Sequence, residues 1–151
     1  MSALLHVPTG APRDVFLFLF DAFPGHRGPE RPSDLLSEGP EFFPVVDAKT
    51  DAFLLMARDR VAAISAALDL ELIPGELPPE DLAGDDATKI RAEVLLANGT
   101  RLSGLLVFLM PEGQRRLQDH VNEPARFLIL RDGETAHVIR KTQIIEVIQL
   151  P

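Results

Sequence analysis

The 151-residue chain has no cysteine, no tryptophan and no tyrosine. The missing thiol excludes disulfides, thiolate metal sites and a cysteine nucleophile together. Its aromatic residues are nine Phe, so no ring carries a polar handle for stacking combined with hydrogen bonding. No apolar run approaches the ~18 residues that a membrane helix needs. The opening MSALLHVPTGAPRD has neither the basic stretch nor the long apolar stretch of a secretory signal. These absences predict a soluble, cytoplasmic protein with no membrane association. Base is scarce too, and a net charge of −8 argues against a large footprint on DNA or RNA.

The acidity is local. Residues 1–67 hold six Lys/Arg against nine Asp/Glu, residues 68–87 hold seven acids and no base, and residues 88–151 hold nine bases against seven acids. The middle segment, LDLELIPGELPPEDLAGDDA, also contains Pro74, Pro78 and Pro79, which interrupt any regular ladder. It reads as an acidic linker (68–87) between a first unit (1–67) and a second (88–151). Its Asp85-Asp86 pair has no third and fourth ligand spaced around it, so it reads as solvated charge rather than a cation site.

What remains is β pattern. Ala92–Ala97, Asn98-Gly99 and Leu102–Met110 read as strand, tight turn and long strand, Asn-Gly being the strongest short hairpin signal. Leu117–Asn122 is predicted as a short helical stretch and Phe127–Arg131 as a strand. Asp132-Gly133 marks a turn, and Ala136–Arg140 with Ile144–Gln149 form a last pair. The first sixty-odd residues restate this in weaker form. Asp14–Ala22 reads as a strand buried on both faces, or as a core strand with an interface behind it, because six successive apolar residues do not alternate. Ser33–Glu38 predicts a short helix with Ser33 or Asp34 as N-cap. Glu41–Asp47 predicts a strand in which Pro44 marks an edge or a bulge. Setting Gly10 on Gly99 brings Phe16–Phe20 onto Leu105–Leu109. Beyond that Asp34 falls on Asp119, Pro40 on Pro124 and Phe43 on Phe127, and Ala52–Ile64 matches Ala136–Ile148 without a gap. The agreement predicts an internal duplication, with the two β units either as two barrels or as one fused sandwich.

Two segments of the second unit carry a family likeness. In VLLANGTRLSGLL, Gly99 lies in the turn and Gly104 follows five residues later in the second strand. In Ile139-Arg140-Lys141-Thr142-Gln143-Ile144, a hydrophobic residue and Arg precede an aliphatic, with Lys141 where the motif has glycine. These segments resemble the two motifs of the Sm/Sm-like (Hfq-like) β-barrel family. The resemblance implies a mainly β protein of two small open β-barrel units in tandem, each with a short helical insertion. A glycine in the second strand suits the sharp bend such a barrel needs. The family also assembles by pairing one unit's fourth strand with the next unit's fifth, which a tandem chain could do internally or extend into a ring.

The family's nucleotide-binding polar positions fall here on Met110 and on Gly113 or Gln114, so those groups are gone. Arg140 and Lys141 remain, and Arg115 and Arg116 form a second basic pair. These four are the candidate RNA- or partner-contacting residues. The plainer alternative is solvated charge at strand ends, with Arg126 and Arg131 guarding an edge strand.

Chemistry finds no foothold. The four His lack ligand spacing, and His120 and His137 could meet in space but read more readily as two surface imidazoles. There is no GxSxG, P-loop or GxGxxG, and Ser33-Asp34 and Ser103 have no nearby His base. No catalytic residue, cofactor or metal is expected. The apolar runs VFLFLF, LLVFLM and IIEVI call for cover from the sister unit or a second subunit. The sequence therefore reads as a non-enzymatic module that self-associates into a homo-oligomer and contacts protein partners, with RNA binding as the alternative.

Overall fold

Turn chemistry sets the local pairings. Gly99, at φ +89°, closes the turn of a long hairpin, and its N–H reaches the Leu96 oxygen at 2.9 Å. In the hairpin Phe42–Asp47/Phe53–Ala57, the Asp47 carboxylate accepts from the N–H groups of Lys49 and Thr50, an Asx-type closure. The computed structural model describes residues 1–25, 28–71, 88–108 and 116–151. Its strands are β1 (Ser2–His6), β2 (Arg13–Leu17), β3 (Phe42–Asp47), β4 (Phe53–Ala57), β5 (Ala63–Ala67), β6 (Thr88–Leu96), β7 (Arg101–Phe108), β8 (Phe127–Asp132), β9 (Thr135–Arg140) and β10 (Ile144–Gln149). Helix α1 (Pro32–Glu38) lies between β2 and β3, and α2 (Leu117–Val121) between β7 and β8.

All ten strands pair antiparallel in one sheet, in the order β10-β6-β7-β8-β9-β5-β1-β2-β3-β4. The expected mainly β fold and the short helix in each half are present. Two separate barrels are not: the ladder runs unbroken from one half to the other, and β10 and β4 are left at its ends without closing on each other. The junction is β5–β9, in the register Ala63↔Ile139, Ser65↔His137, Ala67↔Thr135.

The halves share their cores across this seam. The first cluster contains Leu5, Val15, Leu36, Phe43, Val45 and Ile64, and it takes in Val138 from β9. The second contains Val94, Leu96, Leu106, Leu128, Leu130 and Ile139, and it takes in Ala62 and Ala63 from the first half.

Several expectations shift. The strand predicted over Asp14–Ala22 stops at Leu17, and Phe18 and Phe20 stand 54% and 71% exposed rather than buried on both faces. Pro44 marks no bulge, but it falls where one side of its strand is unpaired. Strand β3 lies between β2 and β4, and its ladder to β2 ends at Val45, so the missing N–H of Pro44 costs no sheet bond. The N-cap of α1 is Arg31, one residue before Pro32. Asp34 acts from inside the helix, accepting the Arg31 N–H at 2.9 Å and its guanidinium at 3.1 Å. Of the segment 68–87, Leu68–Leu70 form a 3-10 turn and Glu71 is buried, while residues 72–87, with Asp85-Asp86, lie outside the described residues.

Candidate functional site

Each predicted contact residue has a structural partner or lies outside the described chain. Arg140 ends β9 and points across the seam. Its Nε donates to the Val61 oxygen at 3.1 Å and its Nη2 to the Arg58 oxygen at 2.8 Å, and its guanidinium carbon lies 5.4 Å from the Phe127 ring centroid. Burial holds it below the usual arginine value, with Asp59 nearby opposing that. Lys141 Nζ donates to the Glu123 oxygen at 2.8 Å, and burial lowers this ammonium too. Arg116 caps α2 through Asp119, Nε to Oδ2 at 3.2 Å, and its hydrogen bonds hold the Asp119 carboxyl below the usual carboxylate range. Arg115 lies outside the described residues. No open basic rim results from Arg140 and Lys141, whose donors are turned onto main-chain oxygens.

His120 and His137 do not pair with each other. His120 stacks on Phe108, centroids 4.1 Å apart, and its Nδ1 lies 2.7 Å from Glu123 Oε1. His137 instead belongs to a polar row on the seam that sequence reasoning missed. Its Nδ1 lies 2.6 Å from Ser65 Oγ, and the same oxygen lies 2.8 Å from His6 Nε2. All three residues are buried. His6 and Ser65 are 59 positions apart, Ser65 and His137 72, so no spacing rule could join them. The available signal was a lone polar residue within each of the apolar runs ALLHV, AAISAAL and AHVI. Ser33 is hydrogen-bonded to Glu71 through both its N–H and its hydroxyl.

Apolar side chains stand exposed after β2, at Phe18 and Phe20, and at both ends of the sheet. Along β4, Phe53 and Leu55 are largely bare, and along β10 Ile145 is largely and Ile148 partly so. A groove of about 520 Å³ runs beside β10, lined by Leu117, Val121, Ile144, Ile145 and Val147 with Lys141 at its side. An edge with unpaired main-chain groups and apolar side chains is a template for another strand. Among the described residues no three His, Asp or Glu are grouped to hold a metal ion, and no helix is long and apolar enough to cross a membrane. Compared with protein-family models, curated proteins and solved structures, the chain matches none of them.

Proposed function

We propose that this protein is a non-enzymatic assembly module, built from two Sm-like units, whose copies join end to end through β10 of one chain and β4 of the next. The reading rests on one observation about the repeat. The turns Arg58–Arg60 and Lys141–Gln143 precede β5 and β10 in the two halves, and Arg58 and Lys141 are 83 positions apart. At that spacing Val138 corresponds to Leu55 and Ala62 to Ile145. Val138 and Ala62, 1% and 2% exposed, cross the seam into the opposite core, as does Ala63, whose counterpart is Glu146. The counterparts of the first two, Leu55 and Ile145, stand bare at the sheet ends, 60% and 64% exposed. Strand order supports the same reading, since each half runs fifth, first, second, third, fourth and the seam joins a fifth strand to a fourth.

Applying the seam register to the ends pairs Val147 with Leu55, Ile148 with Leu54 and Gln149 with Phe53 of the next copy. Such a head-to-tail contact closes into a ring or runs on as a filament. Light scattering over a concentration series tests this. Multimers are expected, and Leu55→Arg or Ile145→Arg should return them to single chains with unchanged circular dichroism. A strictly monomeric mass at high concentration overturns the proposal. Salt-sensitive binding of a single-stranded RNA probe that is lost in Lys141→Ala would favour RNA instead.

A further inference from the structure

The polar row on the seam has a chemistry that the sheet ends lack. Ser65 has one hydroxyl proton, so it donates to one imidazole and accepts from the other. Asp132 Oδ2 lies 3.7 Å from His137 Nε2 and favours the proton on that nitrogen. Nδ1 of His137 is then the acceptor for Ser65, and His6 Nε2–H donates to Ser65 Oγ. This leaves His6 Nδ1 as a buried lone pair with no partner. The arrangement is self-consistent only with both rings neutral. A proton added at His137 Nδ1 turns that nitrogen into a donor, so Ser65 either leaves its own proton unpartnered or donates it to His6 Nε2, which makes the second His6 nitrogen a buried N–H without an acceptor. A second proton sets two cations around one hydroxyl.

The same positions at the sheet ends are apolar. With β1–β5 pairing His6 to Ala63 and β6–β10 pairing Leu95 to Glu146, His6 corresponds to Leu95. By the 83-residue spacing of the turns, Ser65 corresponds to Ile148 and His137 to Leu54. Arg140, the seam's other polar tie, corresponds to Ala57.

We propose that His6, Ser65 and His137 form an acid-operated latch on the β5–β9 seam, and that the junction between copies, with Leu95, Ile148 and Leu54 at these positions and Glu93 and Glu146 as its titratable neighbours, lacks this latch. The latch stands without the assembly reading; only the contrast with the copy-to-copy junction rests on it. Burial, with the His137 charge adding to it, lowers His6 from 6.5 to about 4, and burial lowers His137 against the pull of Asp132. The groups facing the row are His6 from β1, His137 from β9 and Asp132 from β8. A cavity of about 580 Å³ over it is also lined by Asp14 and Glu134, and by no Lys or Arg among the described residues. Both imidazoles have folded values below their unfolded one. Their contribution is therefore complete above about pH 6.5 and is lost as pH falls toward 4.

Amide hydrogen exchange at pH 7 and pH 4.5, corrected for intrinsic rates, tests the latch. Amides of β5 and β9 should lose at least about tenfold in protection at pH 4.5 relative to the β6–β7 hairpin. The double variant His6→Leu/His137→Leu, with Ser65→Ala as a milder second, should remove most of that differential loss. Equal acid response in seam and hairpin, or an undiminished response in both variants, overturns the latch. The chain mass is followed at both pH values. Acid-resistant multimers with an acid-opened seam support the contrast, multimers that dissociate while the seam is intact overturn it, and monomers throughout overturn the assembly reading alone.

Discussion

The guanidinium of Arg140 and the main-chain oxygen of Val61 meet at 3.1 Å across 79 residues of chain, tying the end of β9 to the entrance of β5. Arg140→Ala removes this bond and the one to Arg58, leaving the Val61 carbonyl without its donor and the Arg58 carbonyl with only the Val61 N–H at 3.3 Å. A loss of roughly 2 kcal/mol in unfolding free energy is expected. Urea denaturation followed by far-UV circular dichroism checks it, because the chain has no Trp or Tyr to report by fluorescence. A variant as stable as the wild type would show that the guanidinium is free for an external ligand.

Gly104 and Gly99 should fail for different reasons. A Cβ on Gly104 would meet the Arg131 oxygen at 2.6 Å, where β7 and β8 approach closely. Gly104→Ala is therefore expected to cost about 2 kcal/mol or more as strand main chain shifts. Gly99 has open space around it but φ of +89°, so Gly99→Ala should cost only about 1 kcal/mol through strain. Paired calorimetric scans would rank the two.

A chain without cysteine invites cross-linking. In the register inferred for the copy-to-copy junction, Phe53→Cys with Gln149→Cys should give an intermolecular disulfide under mild oxidation, seen as ladders on a non-reducing gel. The pair Leu55→Cys with Gln149→Cys is displaced by two residues and should cross-link several-fold more slowly. Equal yields would sink the register.

Glu71 takes both donors of Ser33, the N–H at 2.7 Å and the hydroxyl at 2.8 Å, and so fastens the turn after β5 to the start of α1. Glu71→Ala is expected to cost about 1–3 kcal/mol by stranding those donors. Burial raises the Glu71 carboxyl above its usual value although the Ser33 bonds oppose this. A raised carboxyl contributes stability at low pH that is lost as pH rises through the folded value. Glu71→Gln should therefore be relatively better tolerated at pH 8 than at pH 4, compared with the wild type at each pH by urea denaturation.

Local chemistry was legible. The Asn98-Gly99 turn, the Asp132-Gly133 turn and both short helices stand where turn residues and periodicity place them, because neighbours along the chain decide them. On the proposed repeat, the sequence match and the structural turns differ by one residue in the last third. The gapless match of Ala52–Ile64 to Ala136–Ile148 implies a shift of 84, whereas the turns Arg58–Arg60 and Lys141–Gln143 differ by 83. In a strand one residue exchanges the faces, so the sequence match alone would bury the wrong side. The start of α1 was misplaced because Pro32 presets the first helical turn and moves the cap back to Arg31. The His6–Ser65–His137 row and the turning of Arg140 onto main-chain oxygens depend on the β5–β9 pairing, which no local pattern encodes.

That pairing has a consequence for how the chain is made. Val138 completes the first core and Ala62 the second, so neither half is fully packed until β9 meets β5. Ser65 leaves the ribosome 72 residues before His137. At typical synthesis rates, β5 then waits roughly 4–15 s as an open edge with its apolar neighbours already paired behind it. During that wait the strand competing for β5 on a polysome is β9 of a chain further along. A polar row that accepts only a histidine at one register makes the wait safer, because it rewards the right strand in the right alignment and penalises a merely apolar one.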